Sequence, residues 1–270
     1  MAQGTKRASP GADVEKNPLA DVELNDEQAA KLQAVTKEMS RVELLLERRA
    51  QEKLRPVYEK RREICKNISK FWPVALLNHQ MFALHAQHQT DQVALSYLED
   101  LWIERDPKEP RVFTVEFYFK ENPYFSNSVL KKEYKYIPPP SAANEVPDED
   151  GITDSVLDFS WERDVEAVAF KIDWKDDSKN LTKLYPRETT DPDDDMPSEG
   201  GSFFNYFESA EDPYDLGVLI ANEVFPEAID YFLGNMSGGD LDDSEDEDSG
   251  DSDEDEIDLE KPKPKKPKTA

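Results

Sequence analysis

From Asn25 to about Phe71, a stripe of positions returns at helical spacing, apolar at all but Arg61: Leu32, Val35, Met39, Val42, Leu46, Ala50, Leu54, Val57, Arg61, Ile64 and Ile68. Steps of three and four keep them on one side of a nearly straight helix, because their mean period matches the 3.6 residues of an α-helical turn. Asn25 is a candidate N-cap with Gln28 at the third helical position, and Asp26 and Glu27 sit at the positive end of the dipole. Pro56 lies inside the run and removes one backbone hydrogen bond at about 3 kcal/mol, so the pattern predicts a bend there and not an end. A helix of about 46 residues is about 70 Å long, more than one small domain can cover. A second copy of the same helix is the simplest partner for the stripe. The seam expected between copies consists of Leu32, Val35, Met39, Val42, Leu46, Leu54, Val57, Ile64 and Ile68.

Beyond Trp72-Pro73, where a corner is expected, the period changes. Val74 to Gln89 reads as a short helical segment, and alternation then predicts strands over 96–105, 111–120, 129–137 and 165–174. Phe113, Val115, Phe117 and Phe119 share one face of the second strand. Leu130, Lys132, Tyr134 and Tyr136 share one face of the third, and Val168, Phe170, Ile172 and Trp174 face inward on the fourth. Short helices are expected at 179–185 and 202–208, with a mobile Pro- and Asp-rich loop at 186–201. A last helix, Asp215 to Leu233, has Leu216, Leu219, Ile220, Val224, Ile229 and Phe232 as its apolar face and Pro226 as a kink or break. Strands in sequence followed by helices give an α+β domain: an antiparallel sheet covered by helices. The chain therefore divides into a disordered segment 1–24, a long helix 25–72, a domain 73–236, an acidic tail 237–260 and a basic end 261–270.

Charge changes this picture most. The formal net charge is −27 over 270 residues, which repels nucleic acid and anionic membranes and attracts basic proteins. Its distribution is uneven: residues 25–70 hold 12 Lys/Arg against 8 Asp/Glu, whereas 71–236 hold 13 against 34. Residues 237–260 hold 14 acids and no base, too polar to repay the entropy of ordering. Ser244 and Ser252, each followed by three acids, fit an acid-directed kinase. Lys261, Lys263, Lys265, Lys266 and Lys268 reverse the sign and read as a nuclear-import signal.

Candidate chemistry is sparse. Cys65 is the one cysteine, which excludes an internal disulfide, and neither an apolar signal core nor a membrane span is evident, so an intracellular soluble protein is expected. His79, His85 and His88 cluster, with Asp91 nearby, but their spacing does not make a zinc site. No phosphate-binding glycine loop, nucleophile elbow or Cys-x-x-Cys occurs, and Asp193, Asp194 and Asp195 stand in a solvated loop. No enzyme, metal or cofactor is expected.

Several runs resemble the SET branch of the nucleosome assembly protein family: Leu54-Arg55-Pro56-Val57-Tyr58-Glu59-Lys60-Arg61-Arg62 with Phe71-Trp72, then Phe117-Tyr118-Phe119-Lys120-Glu121-Asn122-Pro123-Tyr124-Phe125 and Lys131-Lys132-Glu133-Tyr134. The likeness continues through Ile172-Asp173-Trp174-Lys175, residues 180–183, Ser202-Phe203-Phe204-Asn205-Tyr206-Phe207 and 215–233. It implies a headphone-shaped homodimer in which paired long helices carry an "earmuff" α/β domain at each end. The implied function is a histone chaperone for core histones, H3–H4 foremost, in the nucleus with shuttling to the cytoplasm. Asp173, Asp176, Asp177, Glu208, Asp212, Asp215 and Glu223 are then the expected histone-binding acids. The rival role is an acidic inhibitor or scaffold of a chromatin enzyme, a histone acetyltransferase or a phosphatase. The short tail and Lys-Pro end depart from members with a longer acidic terminus.

Overall fold

The computed structural model describes residues 24–187 and 200–236. Helix α1 runs from Asp26 to Cys65 without a break at Pro56. It opens on a complete capping box: the Asn25 side chain accepts from the Gln28 amide at 2.8 Å and the Gln28 side chain accepts from the Asn25 amide at 3.2 Å. It stops short of the expected boundary at 72. The Asn67 side chain donates to the Glu63 carbonyl at 2.9 Å, and the Asn67 and Ile68 amides close three-residue turns onto Ile64 and Cys65. Lys70 then takes a left-handed φ of 58°. Ile68 consequently stands in the turn after the helix.

Three short helices replace the single segment expected after Pro73: α2 (Phe71–Leu77), α3 (Gln80–His85) and α4 (Gln89–Leu95). Trp72 is helical despite preceding a proline, because Pro73 falls in the first turn of α2, where an amide has no intrahelical acceptor. Strands β1 (Leu98–Arg105), β2 (Phe113–Phe119), β3 (Val129–Tyr136) and β4 (Val165–Val168) form one antiparallel sheet in sequence order. The alternation in β2 and β3 holds, with Val115, Phe117, Leu130 and Lys132 all at 0% exposure.

β4 is shorter than its alternation predicts. After Val168 the chain turns from β3 toward another acceptor: the Phe170 amide donates to the Phe207 carbonyl at 2.7 Å and the Ile172 amide to the Glu208 carboxylate at 3.3 Å. Trp174 returns only as an isolated bridge to Phe125. Helices α5 (Asp154–Leu157) and α6 (Trp161–Asp164) precede β4, and α7 (Leu181–Leu184) and α8 (Asn205–Glu208) follow it. The last expected helix is split into α9 (Leu216–Leu219), a π-helical turn over Ile220–Val224 and α10 (Ala228–Leu233), with Pro226 in the break. The core lies where Phe203, Phe204 and Phe207 meet the inner face of the sheet, together with Phe82 of α3.

Candidate acidic binding surface

The domain first uses its acids on its own helix. Lys37, Arg41, Arg48, Arg55 and Arg62 follow one another at steps of four and seven, on a face of α1 distinct from the apolar stripe. Lys37 meets Asp154 at 3.3 Å, Arg41 binds Asp148 at 3.0 Å and also Asp150, Arg55 grips Glu104 at 2.7 and 3.0 Å, and Arg62 reaches Asp100 at 2.5 Å. Arg48 donates to the carbonyls of Lys108 and Asp150. Leu44 and Cys65 are buried along this face. The Arg55 guanidinium holds the Glu104 carboxyl below the usual range. The spacing of these bases is legible in the sequence, but apolar periodicity points only to the other face.

That other face is open in the single chain. All nine residues of the expected seam are exposed, from 38% at Leu54 and Ile68 to 64% at Leu46 and Ile64.

The seven expected cargo-binding acids have different surroundings. Asp173 is exposed, 3.6 Å from Lys171, and Asp177 is exposed and bonded to Lys183 at 2.6 Å. Asp176 accepts from the Ser178 amide and hydroxyl, and that hydroxyl bond holds its carboxyl below the usual range. Glu208 is bound inside the domain by the Thr182 hydroxyl at 2.6 Å, the Trp174 indole at 3.2 Å and the Ile172 amide. Asp212 accepts from the Tyr134 hydroxyl and from the amides of Leu216 at 3.0 Å and Gly217 at 2.8 Å. Asp215 is exposed at a left-handed φ of 50° before α9. Glu223 is 60% exposed and 3.2 Å from the His79 ring. The structure thus groups Asp173, Asp176 and Asp177 near Glu208, and Asp212 with Asp215.

A wider regularity surrounds the later four. Between Lys70 and Arg105, and again between Arg187 and Lys261, the sequence contains no Lys or Arg. The first gap supplies α2, α3, α4 and most of β1; the second supplies α8, α9, the π turn and α10. Bases from elsewhere meet these helices through carbonyl groups and rings: Arg61 donates to Phe225 and Pro226, Arg105 to Ala221, and the buried Lys132 amine to Ser209 at 2.6 Å, while the Arg187 guanidinium lies 5.4 Å from the centre of the Tyr214 ring. Burial pushes the Lys132 pKa down to about 8. Among the described residues, Glu211, Asp215, Glu223 and Glu227 are exposed on this layer with no Lys or Arg partner. Exposed carboxylates held by a fixed scaffold attract a basic surface from a distance.

The histidines are packed by rings. His79 caps α3 and lies 5.0 Å from the Tyr231 ring, His85 lies 4.5 Å from Tyr214, and His88 stacks on Tyr185 at 4.3 Å. Asp91 is fully buried and accepts from the Ser202 hydroxyl at 2.6 Å and the Phe203 amide at 2.7 Å, which fastens α4 to the segment before α8. Among the described residues no group of three or more His, Cys, Asp or Glu is arranged to hold a metal ion. Ser244, Ser252 and the lysines from Lys261 to Lys268 lie outside the described residues, as do Asp193, Asp194 and Asp195.

A long helix with one open apolar stripe, docked by its basic face on an acidic α+β domain, defines a binding protein built around surface charge. A family model described as nucleosome assembly protein (NAP) matches residues 65–235, and the chain belongs to that family. Protein SET of Drosophila melanogaster is 28% identical over 246 residues, covering 86% of this chain and 84% of that protein. Nucleosome assembly protein 1;2 of Oryza sativa subsp. indica is 29% identical over 196 residues, and the chain spans about half of it, 48%. The crystal structure of Ccp1 superposes with a TM-score of 0.57 at 26% identity, covering 81% of this chain and 100% of that one. Vps75 shares the fold, with a TM-score of 0.53 at 19% identity over 77% of this chain and 98% of its own.

Proposed function

We propose that this protein is a histone chaperone that acts as a homodimer in the nucleus, shuttling to the cytoplasm, and takes core histones, H3–H4 foremost, on the acidic surfaces of its domains. The observation that carries this reading is the helical layer without Lys or Arg of its own, on which Glu211, Asp215, Glu223 and Glu227 are exposed. Histones hold DNA through Lys and Arg. Fixed carboxylates compete for those groups, screen them from non-specific DNA contact and release them when DNA offers a better arrangement. No bond needs to be made or broken. Membership of the nucleosome assembly protein family and likeness to Protein SET support the assignment.

Asp176, Asp177, Asp215 and Glu223 are the acids best placed to touch cargo, because all four are exposed to solvent. Glu208 and Asp212 act on cargo through the loops they hold in place. The test is titration of the full chain with core histone complexes. Asp215→Asn with Glu223→Gln, added to Asp176→Asn with Asp177→Asn, is expected to weaken binding in graded steps. Unaltered histone affinity in the fourfold variant rejects the surface. Failure of the native chain to bind histones, together with capture of an acetyltransferase or phosphatase, supports the inhibitor or scaffold role.

A further inference from the structure

The π-helical turn over Ile220–Val224 leaves backbone groups that a plain helix would have paired. In a continuous α-helix the Phe225 amide would donate to Ala221 and an amide at 226 would donate to Asn222. Here the Phe225 amide reaches back five residues to the Ile220 carbonyl at 2.8 Å, and Pro226 has no amide to give. The Ala221 carbonyl therefore needs a donor from elsewhere. On the same turn Ala221 and Val224 face the core, whereas Asn222 and Glu223 face solvent, with the Glu223 carboxylate 3.2 Å from the His79 ring.

Two arginines from distant elements supply the donors. Arg105, at the end of β1, gives one nitrogen to the Ala221 carbonyl at 3.1 Å and to the Asn222 side-chain oxygen at 2.6 Å, and another to the Pro110 carbonyl at 2.8 Å. Arg61, on α1, donates to the carbonyls of Phe225 at 2.6 Å and Pro226 at 3.0 Å, with its guanidinium 4.4 Å from the centre of the Phe225 ring and 4.6 Å from that of Tyr58. All of these acceptors are neutral oxygens. Arg61 is only 8% exposed, and its Nε and Nη2 are buried without a hydrogen-bond partner. A guanidinium buried in this way is less favourable for stability than an apolar side chain of the same volume. It clamps the carbonyls after the turn, as Arg105 clamps the turn itself.

We propose that Arg61 and Arg105 are positioning residues for cargo binding: they fix the turn that presents Glu223, so that this carboxylate meets a base of the cargo already in place. The inference rests on the chaperone reading and assigns two residues that touch no cargo themselves. A carboxylate on a mobile turn loses conformational freedom on binding, whereas one on a clamped turn has lost it beforehand. Charge alone does not replace the clamp. A lysine at 105 keeps the cation but lacks the planar fork that spans the Ala221, Asn222 and Pro110 oxygens.

The test is a double-mutant cycle on the full-length chain, titrated with core histone complexes at one salt concentration, with the urea midpoint measured for every variant. Arg105→Lys is expected to weaken binding about threefold to tenfold, and Arg61→Lys likewise. Added to Glu223→Gln, either is expected to have no further effect, because the carboxylate it positions is gone. Added to Asp176→Asn, either is expected to keep its full effect. Asn222→Ala removes one Arg105 acceptor at an exposed position and is expected to follow the same pattern, so it takes the place of any arginine variant that does not fold. A lower urea midpoint with unchanged histone affinity overturns the inference, since the arginines then serve stability alone. Losses that add to that of Glu223→Gln also overturn it. If the native chain does not bind histones, the chaperone reading itself has failed and the two arginines have no cargo contact to position.

Discussion

Asp164 shows how much a single carboxylate depends on its neighbours. It is almost fully buried, receives Arg163 at 2.7 Å and the Ser160 amide at 2.9 Å, and the Arg163 bond pulls its pKa down to about 2. A carboxyl depressed by folding contributes stability that is present above its unfolded pKa of about 4 and lost as pH falls through about 2. Asp164→Asn is expected to flatten the stability profile in that window, measured by urea unfolding at a series of pH values. Gly217 is required for a different reason: a Cβ there would sit 2.0 Å from the Tyr134 hydroxyl oxygen. Gly217→Ala is expected to cost about 1–3 kcal/mol, read from the shift in the urea midpoint, because Tyr134 is fixed by Asp212 and Tyr206 and cannot give way. Neither constraint is legible along the chain. The inward position of Lys132 is, since it alternates with Leu130 and Tyr134, but the carbonyl of Ser209 that receives it comes from far away in sequence. For the same reason the sequence marks Glu208 and Asp212 as acids without showing that Trp174, Thr182 and Tyr134 already occupy them.

Among the elements, α1 follows its local code most faithfully. The Asn25–Gln28 box sets its start, and the apolar period carries it past Pro56. Its end is set by Asn67 and Lys70, whose roles depend on a carbonyl and a backbone angle that periodicity does not describe. Pro56→Ala restores one backbone bond and removes a ring from the helix interior, so it is expected to add up to about 3 kcal/mol in chemical unfolding. β4 fails in the opposite way. Its alternation continues to Trp174, yet Phe207 and Glu208 take the amides of Phe170 and Ile172, and a tertiary acceptor outweighs a local pattern.

For the molecule as a whole, the apolar stripe requires a cover. Leu46→Asp with Val57→Asp places two charges on the proposed seam, and light scattering is expected to show the monomer mass for this variant and twice that mass for the native chain. A native monomer at micromolar concentration would remove the homodimer from the proposal while leaving the fold unaffected. Histone association is expected to slow as salt rises, because charged lobes accelerate encounter more than they hold the final complex. Stopped-flow mixing with labelled histones at low and high salt measures this directly. The 14 acids of residues 237–260 should add to the encounter rate, so a chain ending at 236 is expected to bind more slowly and still bind.

The arginines that fasten α1 to the domain also have an electrostatic effect at long range. Because Arg41, Arg55 and Arg62 already sit on Asp148, Asp150, Glu104 and Asp100, the shaft and the flank beside it approach neutrality. On the proposed function, a cationic cargo arriving by diffusion is attracted less along the shaft than toward the base-free helices. The protein thus fills its least useful binding places with its own side chains, and the remaining potential gradient guides the visitor to the surface where it can be held.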